Sequence, residues 1–313
     1  MTLHAGVSVE GEASPCLIRE IAGNGFPANR ARAGLLDRTV GEMHLAGMIE
    51  DLAERLRMLL RPGLRAAAET AGTLDRLDLA QIFTAPVVES GWSTAAARIE
   101  ELEITAEAGM NPGDRRALYS LVRHLRPLRV LEIGTQAGAS TVHLAAALAD
   151  AHPGPVERRL VSVDIKDVNH PETAAWRAFR LPQSPREAMR RLGYGDLVEF
   201  RVARSLEMLR EAGEMYDLIF LDGDHRVKTV VAEIPAALRR LRPGGFLLLH
   251  DYFPGLRPLW PDGKVIQGPY LAVRRLQRAG WPIEVRPLGR LPWPTKQGTS
   301  MTSLALLGRA RIP

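Results

Sequence analysis

The sequence predicts an α/β fold on a mostly parallel sheet, and three observations carry that reading. Short apolar, β-rich runs alternate with helical stretches over residues 130–249. The first run (Val130, Leu131, Ile133) ends in a turn with Gly134 and Gly138, and an Ala/Leu-rich helix starts at Ser140. The second run, 159–164, ends on an acid one βαβ unit later.

Along the chain, residues 1–28 lack periodicity and carry Gly11, Pro15, Gly23, Gly25 and Pro27, so an irregular segment is expected there. Residues 29–71 read as helical: Leu35, Leu36, Val40, Met43, Leu45, Met48, Ile49, Leu52, Leu56 and Leu59 recur at three- and four-residue steps until Pro62-Gly63 breaks the run. More short helices follow to about Ala108. The expected organisation is an irregular segment 1–28, a helical extension 29–110 and an α/β domain 111–313. The extension is either a lid or dimer arm over the site or a helical layer that extends the core. Residues 29–71 hold more apolar side chains than one face needs, so a homodimer or larger closed oligomer through them is expected.

Asn111-Pro112-Gly113-Asp114 reads as a turn and helix start, and ALYSLVRHL (117–125) packs before the first strand. In the turn that follows, glycine lets the backbone lie close to a ligand, and the free N–H groups of the helix start face the same ligand. Asp164, at the tip of the second strand, is suited to accept two hydrogen bonds from ribose hydroxyls; the other reading is a helix cap or solvated turn residue. The turn Gly134-Thr135-Gln136-Ala137-Gly138, preceded by Glu132, is not G-x-G-x-x-G, and no Lys-Ser/Thr pair of a phosphate loop follows. The site therefore suits an adenosine ligand without a polyphosphate.

VEFRVA (198–203) is a further strand. YDLIFLDGDH (216–225) is an apolar strand ending in acids and a histidine. A helical stretch (227–241) leads to a Pro-Gly-Gly turn and a strand at 246–249 that ends in His250-Asp251, completing a second βαβ unit. Residues 268–279 read as a helix. Two β-rich runs, 281–289 and 299–309, close the chain around a loop with Pro292 and Pro294, and LALL is too apolar to sit exposed.

Composition bounds the function. The chain has 313 residues, 46% hydrophobic and 25% charged, enough for one large α/β domain plus an appendage. No apolar run approaches the ~20 residues that span a bilayer, and the N-terminus lacks a basic region followed by an apolar stretch. A single cysteine, Cys16, excludes an internal disulfide and a cysteine-based zinc site. A cytoplasmic protein is the default expectation. The net charge of +5 invites a nucleic-acid partner, but the arginines are scattered or paired on expected helix surfaces, with no basic run interleaved with aromatics.

LEIGTQAGAST (131–141) resembles the first signature of class I S-adenosylmethionine-dependent methyltransferases, in the form seen in small-molecule O-methyltransferases such as the catechol type. The D-G-D-H and H-D-Y endings at 222–225 and 250–252 resemble a subgroup that methylates sugars and other secondary metabolites, several members being magnesium-dependent. The resemblance covers about 114–309. It implies a Rossmann-like seven-stranded sheet with helices on both faces and a C-terminal antiparallel hairpin. It also implies S-adenosylmethionine as cofactor, with Glu132, Gly134, Gln136, Gly138, Ser140, Asp164, Ser205 and Asp222 around it: the glycine turn under the methionine part, Asp164 on the ribose, Ser205 near the adenine.

Methyl transfer from a sulfonium is an in-line displacement that needs a positioned acceptor and a route for its proton. Asp222 and Asp251, on two neighbouring strand tips, could converge on one hard cation such as magnesium. By resemblance they align with the ligands of the magnesium-dependent members, although Tyr252 and His250 replace the extra Asp, Glu or Asn seen beside that ligand. His225, at a D-x-x-H position, is expected to act as base; otherwise it caps the next helix or bonds Asp251. His250 joins Asp222 and His225 in the catalytic set, in a positioning role. The expected acceptor is a hydroxyl of a small molecule: a secondary metabolite, sugar or phenol. Non-methylating chemistry on the same fold (a cyclase or decarboxylase), or methylation of RNA, stands as the alternative.

Overall fold

The computed structural model describes residues 71–105, 108–173, 175–211 and 213–309. The irregular segment 1–28 and the helical run 29–70, with the oligomer expected through it, lie outside the described residues. The described part of the extension holds two helices, α1 (Leu79–Thr84) and α2 (Pro86–Glu100). From there helices and strands alternate: α3 (Pro112–Leu125), β1 (Arg129–Ile133), α4 (Ala139–Ala151), β2 (Arg159–Asp164), α5 (Ala175–Ala178), α6 (Pro185–Arg191) and β3 (Val198–Val202). The second half continues with α7 (Ser205–Arg210), β4 (Tyr216–Leu221), α8 (Val227–Leu238), β5 (Leu241–Leu249), α9 (Gly268–Arg278), β6 (Ile283–Pro287) and β7 (Ala305–Arg309).

The strands form one seven-stranded sheet in the order β3-β2-β1-β4-β5-β7-β6. The first five are mutually parallel; β7 runs antiparallel to both β5 and β6, which gives the expected C-terminal hairpin. Side chains alternate across a strand, so each central strand supplies both layers. Val130, Leu160, Leu218, Phe220 and Leu248 join the apolar faces of α1 to α4. Leu131, Ile133, Val161, Ile219, Leu221 and Leu247 join those of α7, α8 and α9. Burial on both faces explains why these strands read as continuous apolar runs rather than alternating ones.

Helix α4 is nearly all buried, and its alanines let it lie close to the sheet and α3. Its Leu144 and Leu148 are fully enclosed, each contributing about 1.5–3 kcal/mol. Leu74, Ile82, Phe83, Ala95, Ile99 and Leu102 belong to the same buried cluster, so this part of the extension packs as a layer of the core. Gly72 is threaded between two strands: its N–H donates to Gly245 O (2.8 Å) and its carbonyl accepts from Arg309 N (2.8 Å).

One boundary differs from expectation. The Pro243-Gly244-Gly245 turn lies inside β5, not before it. Tyr216 pairs with Leu241 and Leu218 with Phe246, so the turn is a bulge that the parallel partner β4 skips.

Candidate functional site

The carboxyl ends of β1, β2, β4 and β5 and the start of α7 open on one cleft of about 1480 Å³. It lies outside the strand ends, where open α/β sheets bind ligands. Gly134, Gln136, Ser140, Asp164 and Ser205 line it, as do Asp222, His225, His250 and Asp251.

Two expected cofactor residues do not line it. Glu132 sits mid-strand on the α4 side of the sheet, opposite Ser162 in the β1–β2 register. It is fully buried; Ser140 Oγ donates to its Oε1 (2.5 Å), and Thr141 Oγ1 and Ser162 Oγ donate to its Oε2 (both 2.6 Å). Burial pushes its carboxyl up to about 7, against the pull of those three hydroxyls. Glu132 is a structural node that ties β1 to β2 and α4. Gly138 (φ +79°) likewise starts α4 rather than contacting the cleft, and an added Cβ would lie 2.8 Å from Pro185. Gly134 (φ +104°) does line the cleft, yet what its missing Cβ makes room for is backbone: Asp222 O would stand 2.2 Å away. Position 134 thus owes its glycine to the close approach of the β4 tip, and position 138 to that of Pro185, as much as to any ligand.

Asp164 is a turn residue that also borders the cleft. Its Oδ2 accepts from Gln136 N (2.9 Å) and its Oδ1 from Lys166 N (3.1 Å), which fixes the turn, and the side chain still borders the cleft. Each oxygen keeps a lone pair for a further donor.

The tips of β4 and β5 carry a charged cluster. Asp222 N donates to Ile133 O (2.9 Å) and His250 N to Leu221 O (3.1 Å), so sheet-like bonds hold both backbones. His250 Nδ1 donates to Asp222 Oδ1 (2.9 Å) and Nε2 to Asp114 Oδ2 (3.4 Å); donation from both nitrogens requires the imidazolium. Burial opposes that charge, but the carboxylates of Asp222 and Asp251 and the bond to Asp114 outweigh it and hold the ring well above its ordinary range. A ring that already carries both protons accepts none, so His250 serves position rather than proton removal. Asp251 takes a left-handed backbone (φ +53°) that turns its side chain back: Oδ2 lies 3.3 Å from His225 Nε2 and Oδ1 3.7 Å from His250 Nδ1. His225 is 35% exposed and faces the cleft. Asp222, His250 and Asp251 each bring one polar atom within 4.8 Å of the others; with the His250 ring carrying both its protons, the two carboxylates are what this cluster offers a cation.

Asp224, the second acid of D-G-D-H, lies just before α8. Its side chain accepts from Arg226 N (2.9 Å) and Thr229 Oγ1 (2.8 Å), and the Arg226 guanidinium holds its carboxyl well below the usual range. Asp217 is structural, accepting from Leu128 N and Arg129 N (2.9 and 2.8 Å) at the other end of the sheet.

Sequence reading missed Asp114 and much of the cleft's outer wall. Asp114 is fully buried, with Oδ1 unpartnered and Oδ2 accepting from Asn111 Nδ2 (2.8 Å) besides His250. The wall combines Met110, Asn111 and Trp260 with Thr295, Lys296 and Gln297 from the β6–β7 loop. Trp293 anchors that loop, donating to Gly113 O (2.9 Å) with the Arg116 guanidinium 4.0 Å above its ring. Lys296 lies over Trp260 (4.8 Å) and pairs with Asp262 (2.9 Å).

A family model described as "Methyltransferase domain" matches residues 131–252, the stretch that runs from β1 through the tip of β5. The matched stretch carries the parallel strands β1 to β5 and the strand tips that border the cleft. The chain is 30% identical over 161 residues to a catechol O-methyltransferase of Mycobacterium tuberculosis, covering 51% of this chain and 61% of that one. It is 28% identical over 170 residues to a catechol O-methyltransferase of Niastella koreensis, covering 51% and 65%. It thus spans under two thirds of the length of these relatives. Among solved structures, the O-methyltransferase TomG from Streptomyces achromogenes aligns with 22% identity and a TM-score of 0.47 over 71% of this chain and 90% of that chain. No helix among the described residues is long and apolar enough to cross a membrane.

Proposed function

We propose that this chain is an S-adenosylmethionine-dependent O-methyltransferase acting on a hydroxyl of a small molecule, a phenol, sugar or related secondary metabolite. The observation that carries the reading is the convergence of Asp222, His225 and Asp251 on a cleft that also holds the Asp164 turn. The residues fit the cofactor. Asp164 keeps lone pairs for two ribose hydroxyls, and Gly134 and Gln136 give the methionine part a backbone floor. Trp260 and Met110 offer an apolar wall to a flat acceptor.

His225 is the base in this reading. Asp251 Oδ2, 3.3 Å from Nε2, favours the tautomer with its proton on Nε2 and the lone pair on Nδ1, and the carboxylate favours the imidazolium that forms as the acceptor loses its proton. His250 holds Asp222 in place from behind. Asp222 and Asp251 also fit a magnesium ion, which takes a few carboxylates and keeps waters for the rest of its shell. Such an ion would lower the pKa of a bound acceptor hydroxyl.

The test is incubation of the full chain with S-adenosylmethionine and a panel of catechols, other phenols and sugars, with S-adenosylhomocysteine and methylated product read by mass spectrometry. Product from at least one hydroxylated acceptor is expected, with loss of turnover in excess chelator and its return on adding magnesium. Cofactor consumption without any methylated acceptor would replace this reading by non-methylating chemistry. Full turnover in chelator would leave Asp222 and Asp251 as cofactor or substrate contacts.

A further inference from the structure

The cleft wall on the β7 side offers a ligand hydrogen-bond donors that the methyl transfer itself does not use. The sheet order places that wall. Along the cleft the strand tips run β2, β1, β4, β5, and β7 follows β5. Asp164 is at β2, and the reacting groups are at the ends of β4 and β5. In an in-line transfer the acceptor stands across the reacting groups from the cofactor, which here is toward β7. The β6–β7 loop is fastened at that end: Tyr252 N donates to Ser303 O (2.8 Å) and Ser303 Oγ to Asp251 Oδ1 (3.5 Å).

The polar side chains of the wall divide into spent and free groups. Asn111 spends its amide on Asp114, with Oδ1 accepting from Asp114 N (3.0 Å) and Nδ2 donating to Oδ2 (2.8 Å). Thr295 Oγ1 donates into its own loop, to Met301 O (2.5 Å). Gln297 Oε1 accepts from Asp262 N (3.0 Å), and its Nε2 has no partner among the described residues. Lys296 lines the cleft with its ammonium 4.8 Å over the Trp260 ring and 2.9 Å from Asp262 Oδ2. Asp262 does not line the cleft, and it faces Lys264 as well as Lys296, so the trio carries one net positive charge. Asp262 and the indole also hold the ammonium in place, which reduces the rotamer freedom left to lose when a ligand binds. What remains for a ligand is Lys296 Nζ and Gln297 Nε2, both of them donors.

We infer that this wall selects an acceptor carrying an oxyanion, a carboxylate or a phosphate, with Lys296 as the specificity residue. The inference rests on the O-methyltransferase reading above and names the substrate class within it. Donors alone suit a group that only accepts, and a cation among them suits a charged one. Asp222 and Asp251 repel the same group from the reacting end, so the anion fixes which end of the acceptor meets His225.

Matched acceptor pairs given to the full chain test it: a catechol carrying a carboxylate beside the same catechol carrying an uncharged carboxamide, and a sugar phosphate beside the free sugar. The wild type should favour the anionic member of at least one pair by about 10- to 100-fold in kcat/KM, the range for a hydrogen bond to a charged group. The pair that shows the preference tells carboxylate from phosphate. The difference should lie in KM, since the anion is remote from the transferred methyl. Lys296→Met should bring the two members to near equality, and Lys296→Arg should keep most of the preference. Equal use of both members of each pair by the wild type overturns the inference without any variant, and so does a Lys296→Met chain that keeps the wild-type preference. Methylation of none of the four acceptors overturns the O-methyltransferase reading over this panel, and the inference with it.

Discussion

Two acidic sites lie a few residues apart on neighbouring strands and have opposite fates. Glu132, in the middle of β1, is sealed: three hydroxyls occupy its oxygens and no part of it borders the cleft. Asp222 and Asp251, at the tips of β4 and β5, are also engaged, but by histidines, and their surroundings open on the cleft. Neutral donors around a buried acid make a rigid node with nothing left over. Ionisable donors around a pair of acids leave charge that a ligand, a proton or a cation can exchange. The difference lies in the kind of partner and in access, not in how buried or how acidic the residue is.

The largest effect that separates the two sites should come from His225. His225→Ala should lower turnover by about 10²–10⁴-fold, the usual span for a general base, with cofactor affinity unchanged because the Asp164 turn is untouched. Single-turnover rates beside calorimetric titration of S-adenosylhomocysteine would read both. Near-normal turnover would place His225 with Glu132, among the residues that only hold the fold.

Glu132 should act on stability. Its folded carboxyl titrates near 7, above its ordinary 4.5, so the folded state keeps a proton that the unfolded state gives up. Its contribution is therefore full below about pH 4.5 and is lost as pH rises through 7, on the order of 3 kcal/mol. Buried His143 works the other way: burial lowers its ring to about 3 from an ordinary 6.5, so it withdraws stability as pH falls below 6.5. The wild type alone would blur the two. The difference in urea-unfolding free energy between wild type and Glu132→Gln, followed from pH 4.5 to 8, isolates Glu132. A difference that stays flat would mean that the three hydroxyls keep Glu132 ionised throughout.

Asp164 comes next. In the proposed reading Asp164→Ala removes the acceptor for two ribose hydroxyls, and it frees Gln136 N, so binding of S-adenosylhomocysteine should weaken by about 10- to 100-fold. Unchanged affinity would reduce Asp164 to the turn residue that its two backbone bonds already make it.

The sequence exposed the parts of this molecule that are local. Strand runs, the turns after them and the polar residues at strand tips are each written in a few consecutive positions, so Asp164, Asp222, His225, His250 and Asp251 could be read together. Glu132 reads with the cleft residues because a strand residue next to a glycine turn looks like part of the turn; in the fold it is buried and does not line the cleft. The signal that corrects it is the polar set Glu132, Ser140, Thr141 and Ser162 inside segments otherwise apolar, which marks a buried network rather than a binding edge. The outer wall was hidden for another reason. Met110, Trp260 and Lys296 come from three loops whose meeting depends on the whole topology, and no local pattern records that meeting.

Asp114 shows the same limit most clearly, and it supplies the smallest and sharpest test. In the sequence it closes an Asn-Pro-Gly-Asp helix start, and the structure bears that role out: Asn111 Oδ1 accepts from Asp114 N (3.0 Å) and Asp114 Oδ2 accepts from Asn111 Nδ2 (2.8 Å). The same Oδ2 also lies 3.4 Å from His250 Nε2, so one carboxylate holds both the Asn111 side chain that caps α3 and the histidine behind Asp222. Asp114→Asn keeps the shape and an oxygen for the cap but takes away the charge that His250 faces. If Asp114 positions the site through His250, turnover should fall about tenfold with cofactor affinity unchanged, near the lower end of what removing a partner behind a reactive group does. If Asp114 only holds the capping Asn111, the variant should lose up to about 1 kcal/mol of stability and keep its turnover. Measuring melting temperature and turnover on the same preparation separates the two, and a loss confined to melting temperature would move Asp114 to the side of Glu132.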